Sequence, residues 1–153
     1  MKNIFLIIAV IAIGVLLFGW NRFFGSEPEP DAFAYWQDTQ IRCIPGHQNL
    51  EFHFHPLLAI TVDGAAEPVP AEIGISPNCM AEVHTHDESG TLHIEGLETR
   101  DFYLKDFLAV WGRAIERDGY TLTVLSNGNP VEDYANLELG DAQQVLIQYE
   151  TAK

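Results

Sequence analysis

Basic side chains are scarce in this chain. Eight Lys and Arg stand against 22 Asp and Glu, for a formal net charge of −14. So few cations argue against binding a nucleic-acid backbone, which is held by neutralising Lys and Arg. They argue equally against docking on anionic lipid headgroups. An acidic domain instead repels anions and concentrates cations around itself. The sequence has no phosphate loop, no nucleophile elbow, no recognisable substrate motif and no internal repeat. It has only two cysteines, Cys43 and Cys79. Its 153 residues suffice for one domain with a hydrophobic core, plus an appendage.

Long apolar runs are absent except at the start. Ile4 to Trp20 is apolar throughout apart from glycine, and the run reaches Phe24 broken only by Asn21 and Arg22. At about 1.5 Å per residue, it spans roughly 30 Å, the thickness of one bilayer core. Lys2 precedes it, which favours a cytoplasmic N-terminus. A cleaved signal peptide is the competing reading, but the run is longer than a usual signal core and no A-x-A-like site follows. No cysteine lies here, so a lipoprotein is excluded. Residues 1–24 thus read as a transmembrane anchor or signal peptide. Residues 25–34, containing GSEPEP, read as a stalk. Residues 35–153 read as a periplasmic or extracellular domain of a single-pass, N-in/C-out membrane protein. In an oxidising compartment an even cysteine count predicts a disulfide, Cys43–Cys79.

Beyond the stalk the patterning is mainly that of strands. Leu50, Phe52, Phe54, Leu58, Ile60 and Val62 share one face, with Glu51, His53 and His55 on the other. Pro56 makes this an edge strand or one with a bulge just past His55. Asp63-Gly64 is a turn, and Val69 to Ile75 an irregular second strand. Ala81 to His86 and Thr91 to Glu95 flank Asp87-Glu88-Ser89-Gly90, a hairpin signal. Leu104, Phe107, Leu108 and Trp111 have helical spacing, with Asp101 or Thr99 able to cap and Gly112 at the C-terminal stop. Tyr120 to Leu125 and Gln144 to Tyr149 are strands, and Asn127-Gly128 a turn. The order predicts an α+β fold, a mostly antiparallel sheet with one short helix. The last third resembles half of a β-grasp.

All six histidines fall between positions 47 and 93. His53-Phe54-His55 and His84-Thr85-His86 are H-x-H pairs. On a strand, residues i and i+2 point the same way, about 7 Å apart at Cα, so both imidazoles can reach one ion. If Asp87 to Gly90 is the hairpin loop, His86 faces Thr91, His84 faces His93, and Glu82 faces Glu95. Three histidines then meet on one face. A slip of one residue would move His84 and His86 to the face of Leu92 and Ile94. The predicted metal ligands are His53, His55, His84, His86 and His93. Glu82 and Glu95 are predicted to orient imidazole N–H groups behind them. His47, in a Pro45-Gly46 turn, stands apart. Imidazoles without thiolate suit copper or zinc. A blue-copper site is disfavoured, because Met80 precedes His84 and the thiols are expected to be oxidised.

The string CMAEVHTHDESGTLHIEG, with the earlier H-x-H and the later LKDFLAVWG, resembles a family of small exported or membrane-anchored bacterial and archaeal proteins. Its pattern is H-x-H, a cysteine, HTHD-x-SG-x-x-H-x-E, and a short helix ending in Trp-Gly. The match runs from about His53 to Gly112. The resemblance supports the site residues and implies no particular chemistry. The expected function is extracytoplasmic binding of copper or zinc. The alternative is a metal-dependent hydrolase, hydratase or oxidase with a His₃ site. The partners expected are the metal ion and, through the N-terminal helix, the membrane.

Overall fold

The structure, a computed structural model, describes residues 39–44 and 46–153. The anchor and stalk expected over 1–24 and 25–34 lie outside the described residues. Among the described residues no helix is long and apolar enough to cross a membrane.

The strands in chain order are β1 (Cys43–Ile44), β2 (Phe52–Phe54), β3 (Leu57–Val62), β4 (Ala65–Glu67), β5 (Ile75–Ser76), β6 (Cys79–Ala81), β7 (Val83–His84) and β8 (His93–Gly96). Helix α1 (Leu104–Trp111) follows, then β9 (Tyr120–Ser126), β10 (Asn129–Pro130) and β11 (Gln144–Thr151). They form a five-stranded sheet, β10-β9-β11-β3-β4, and two three-stranded sheets, β1-β6-β5 and β2-β8-β7. All pairings are antiparallel except β3 with β11. The α+β expectation of a mostly antiparallel sheet with one helix therefore holds for the described residues. The five-stranded sheet is mixed, with β11 at its centre paired parallel to β3 and antiparallel to β9. The two small sheets come from the segments before β3 and between β4 and α1; β2-β8-β7 carries His53, His84 and His93, and β1-β6-β5 carries the two cysteines.

Alternation explains the main sheet. Leu58 and Ile60 of β3, Val124 of β9, and Val145, Ile147 and Tyr149 of β11 are buried in one core. Leu104, Phe107 and Leu108 of α1 join that core, and Trp111 packs at its margin. Burying side chains of this size stabilises by roughly 1.5–3 kcal/mol each. The residue at the helix cap is Tyr103, not Asp101 or Thr99. Asp106 reaches back to accept the Tyr103 N–H at 2.9 Å. Its end is as predicted: Gly112 is left-handed (φ 68°), and the N–H groups of Gly112 and Arg113 donate to Ala109 and Leu108.

Three segments depart from the sequence reading. The run from Leu50 to Val62 is not one strand. It splits at the buried Pro56 into β2 and β3, which belong to different sheets, because proline offers no ladder N–H. Val69 to Ile75 is not a strand, although Val69 and Ile73 are buried. Pro70 again lacks a donor, and Glu72 and Gly74 have positive φ (59° and 77°), which makes a turn. Finally, Ala81 to His86 is broken by a bend at Glu82. β6 pairs with β1 and β5, while β7 pairs with β8.

Cys43 and Cys79 form the expected disulfide, with their Cα atoms 5.2 Å apart. It clips β1 to β6 across a separation of 36 residues. In the chain-entropy model a loop of that length is worth about 3–4 kcal/mol.

Candidate metal centre

The small sheet β2-β8-β7 positions the histidines. Its central strand, β8, places His93 and Glu95 two residues apart, and so on one face. His84 of β7 is directly opposite His93, the register required by a loop at Asp87 to Gly90. On the other side of β8, His53 of β2 is opposite Glu95. Val83, Ile94 and Phe54 alternate with these residues and turn to the core, where Val83 and Ile94 are fully buried. The hydrophobic positions therefore fix the face on which the imidazoles emerge.

His55 and His86 lie just past the ends of their strands, and each is held by a local device. Asp141 accepts the His55 backbone N–H at 2.9 Å. Beside His86, the buried Thr85 donates its hydroxyl to the Pro70 carbonyl and accepts the Ile73 N–H. The intervening loop is closed by Asp87, which accepts the Ser89 N–H at 2.8 Å. Hydrogen bonds from Ser89 hold the Asp87 carboxyl below its ordinary range. Gly90 (φ 80°) passes so close to β3 that a Cβ there would lie 2.1 Å from the Leu58 carbonyl oxygen. Its own carbonyl accepts the Leu58 N–H, and Leu92 donates to Pro56. The hairpin tip is thus locked to the start of the main sheet.

The imidazoles form two trios. His84, His86 and His93 offer ligand atoms within 4.8 Å of one another, and so do His53, His55 and His93. Within the first trio, His84 Nε2 and His86 Nε2 are 3.2 Å apart. Within the second, His53 Nε2 and His93 Nδ1 are 3.5 Å apart. Two nitrogens bound at about 2.0–2.1 Å to a tetrahedral ion stand roughly 3.3 Å apart, so one pair in each trio already has the spacing of two ligands on one ion. All five predicted ligands are gathered in this cluster. His47 joins them as well: its ring centroid lies 5.6 Å from that of His86, and its Nδ1 3.0 Å from the Glu95 carboxylate. In the sequence it stands outside either H-x-H pair, in a turn six residues before His53, and so falls outside the predicted ligand set.

The two glutamates have opposite fates. Glu95, fully buried, sits among the imidazoles. Its Oε1 is 3.3 Å from His84 Nε2 and its Oε2 is 3.5 Å from His53 Nε2. Oε1 has no hydrogen bond among the described residues. Glu82, expected to orient an imidazole, is turned away by the bend. Its carboxylate pairs with Arg100 and accepts the Arg42 N–H at 2.8 Å. Two buried carboxylates facing each other across a ladder would repel, and Arg100 gives one of them another destination.

Protonation is arranged for ligation. The Nδ1–H of His84 donates to the Ala81 carbonyl at 2.8 Å, which leaves Nε2 as the unprotonated nitrogen. Burial, helped by His86 and His93, pushes the His84 pKa down to about 4 against the opposing pull of the Ala81 hydrogen bond and Glu95. His93 is likewise pushed down to about 4, by burial first and then by His86, His55 and His53. Both rings are therefore neutral at pH 7, the form that binds a metal. With both cysteines oxidised, the donor set is nitrogen and oxygen only. Comparison with protein families, with curated proteins and with solved structures finds no match to this chain.

Proposed function

We propose that this protein binds copper or zinc outside the cytoplasm, as a carrier, sensor or buffer held at the membrane by its N-terminal segment. The observation that carries the metal reading is the pair of imidazole trios at ligand spacing on one sheet face, beside a buried carboxylate oxygen that lacks a hydrogen bond. Imidazole with carboxylate and no thiolate is the donor chemistry of Cu(II) and zinc. His53 and His86 are exposed, as exchange of a carried ion requires. The Cys43–Cys79 bond supports an oxidising compartment, and the apolar run from Ile4 supports export and anchoring. This placement agrees with the exported family that the HTHD-x-SG-x-x-H-x-E pattern resembles.

Metal analysis of the purified full chain tests the reading. Bound copper or zinc in stoichiometric amount, lost on replacing His84 and His86 by alanine, is the expected result. A fully folded protein with no measurable affinity for either ion would sink it. An exchangeable water on the bound ion would move the reading towards the metal-dependent enzyme.

A further inference from the structure

We propose that the histidine cluster holds two metal ions, not one, with His93 shared between them and the Glu95 carboxylate spanning the pair. This rests on the metal-binding reading above and adds the number and linkage of the ions.

Ligand count comes first. Six imidazoles and one buried carboxylate exceed what a single four-coordinate ion can take. The histidines also divide into two sets of mutually close ligand atoms, and His93 belongs to both. A neutral imidazole binds an ion through one nitrogen; when its remaining N–H proton is released to solvent on metal binding, the imidazolate can bind a second ion through the other. Nδ1 of His93 faces His53, and its ring also lies beside His84 and His86, with centroids 5.4 and 4.5 Å away, so Nε2 is assigned to that side.

Glu95 supplies the second link. Its Oε1 lies beside His84 of the first trio and its Oε2 beside His53 of the second. Adding one carboxylate oxygen to each trio gives four donors per ion, the number that zinc takes in closed sites. The same assignment explains why Oε1 is buried with no hydrogen bond among the described residues. Burying an acceptor in that state is unfavourable, the more so when it is charged, and a bound cation removes the penalty. His47, with Nδ1 3.0–3.1 Å from both Glu95 oxygens, then orients the carboxylate.

Titration of the metal-stripped full chain with Zn(II) decides the number. The expected result is two ions per chain. His53→Ala and His86→Ala, both at exposed positions, should each reduce this to one, and His93→Ala should weaken both sites. Loading with Cu(II) gives a readout independent of any variant. Two linked Cu(II) ions couple magnetically, so the electron paramagnetic resonance intensity should fall well below two spins per chain. One ion per chain, or two coppers with the full two-spin intensity, would overturn the shared centre while leaving metal binding intact. No bound ion at all would remove the metal-binding reading itself.

Discussion

His84 Nε2 and Glu95 Oε1 face each other at 3.3 Å, both in fully buried residues. The His84 proton is committed to Nδ1 by the Ala81 carbonyl, and burial keeps Nε2 unprotonated down to about pH 4. Two electron pairs therefore confront each other in a low-dielectric setting. A cation between them turns that repulsion into a pair of ligand bonds.

Glu95→Gln separates the cost of this arrangement from its use. Without metal, the substitution removes a buried charge whose Oε2 contacts His47 but whose Oε1 has no hydrogen bond among the described residues, so the thermal midpoint of the metal-free protein should hold or rise. Affinity for Zn(II) should fall by about 10–100-fold, the usual effect of losing a group that supports a metal site, and more if the oxygen is a direct ligand. Calorimetric titration and melting curves with and without zinc check both. A fall in the metal-free midpoint with unchanged affinity would contradict the role given to Glu95.

The depressed histidines set a pH dependence for the metal-free fold. An unfolded His84 takes a proton near pH 6.5, and the folded one only near 4. Between those values the unfolded state binds more protons, so stability falls as pH falls. The contribution of His84 is fully present above about pH 7 and is lost by about pH 4. Its size is about 3 kcal/mol, from 1.36 kcal/mol per pKa unit. His93 acts in the same direction. Urea unfolding at pH 7.5 and pH 4 should show the loss, and His84→Phe should reduce it.

The register His84 opposite His93 was legible because a four-residue loop and a strict alternation leave only one pairing that keeps Val83 and Ile94 in the core. The docking of β2 against the far edge of β8 was not legible, because short strands carry no partner signal of their own. Glu82 and Glu95 look alike in the sequence, two acids flanking one hairpin. What separates them is Arg100 together with the bend at Glu82, both consequences of tertiary packing. The false strand over Val69 to Ile75 came from apolar spacing that is real, since Val69 and Ile73 are buried, on a backbone that turns at Glu72 and Gly74. His47 reaches the cluster through the segment that follows β1, which the disulfide clips to β6, a long-range constraint that spacing alone does not express.

Gly90 couples the hairpin to the main sheet, and its replacement should be costly. Gly90→Ala meets the Leu58 carbonyl oxygen and places a side chain at φ 80°. Backbone strain of this kind is worth about 1–3 kcal/mol, before any loss of the Leu58 to Gly90 hydrogen bond. Metal affinity should fall together with stability, because His86 and His93 flank the displaced loop. Ser89→Ala, which removes only hydroxyl bonds on the exposed side of the same loop, is the control. An alanine at position 90 that leaves both melting point and metal uptake unchanged would contradict this coupling.

Glu82 provides the contrasting case, in which stability and metal binding come apart. Its carboxylate is buried and joined to the largely buried Arg100. Arg100→Ala leaves that charge without its main partner, a change that costs about 3–5 kcal/mol in comparable buried pairs. Arg100 also lies over the Phe102 ring, its guanidinium carbon 4.1 Å from the centroid, so some of the loss is packing. Glu82→Gln with Arg100→Met removes both charges while keeping most of the volume, and should recover much of the stability. Across this series the Zn(II) affinity of the folded protein should stay within a few-fold of the parent, because Glu82 bonds to arginine and backbone and not to an imidazole. A tenfold or greater loss of affinity in the stable double variant would return Glu82 to the metal centre.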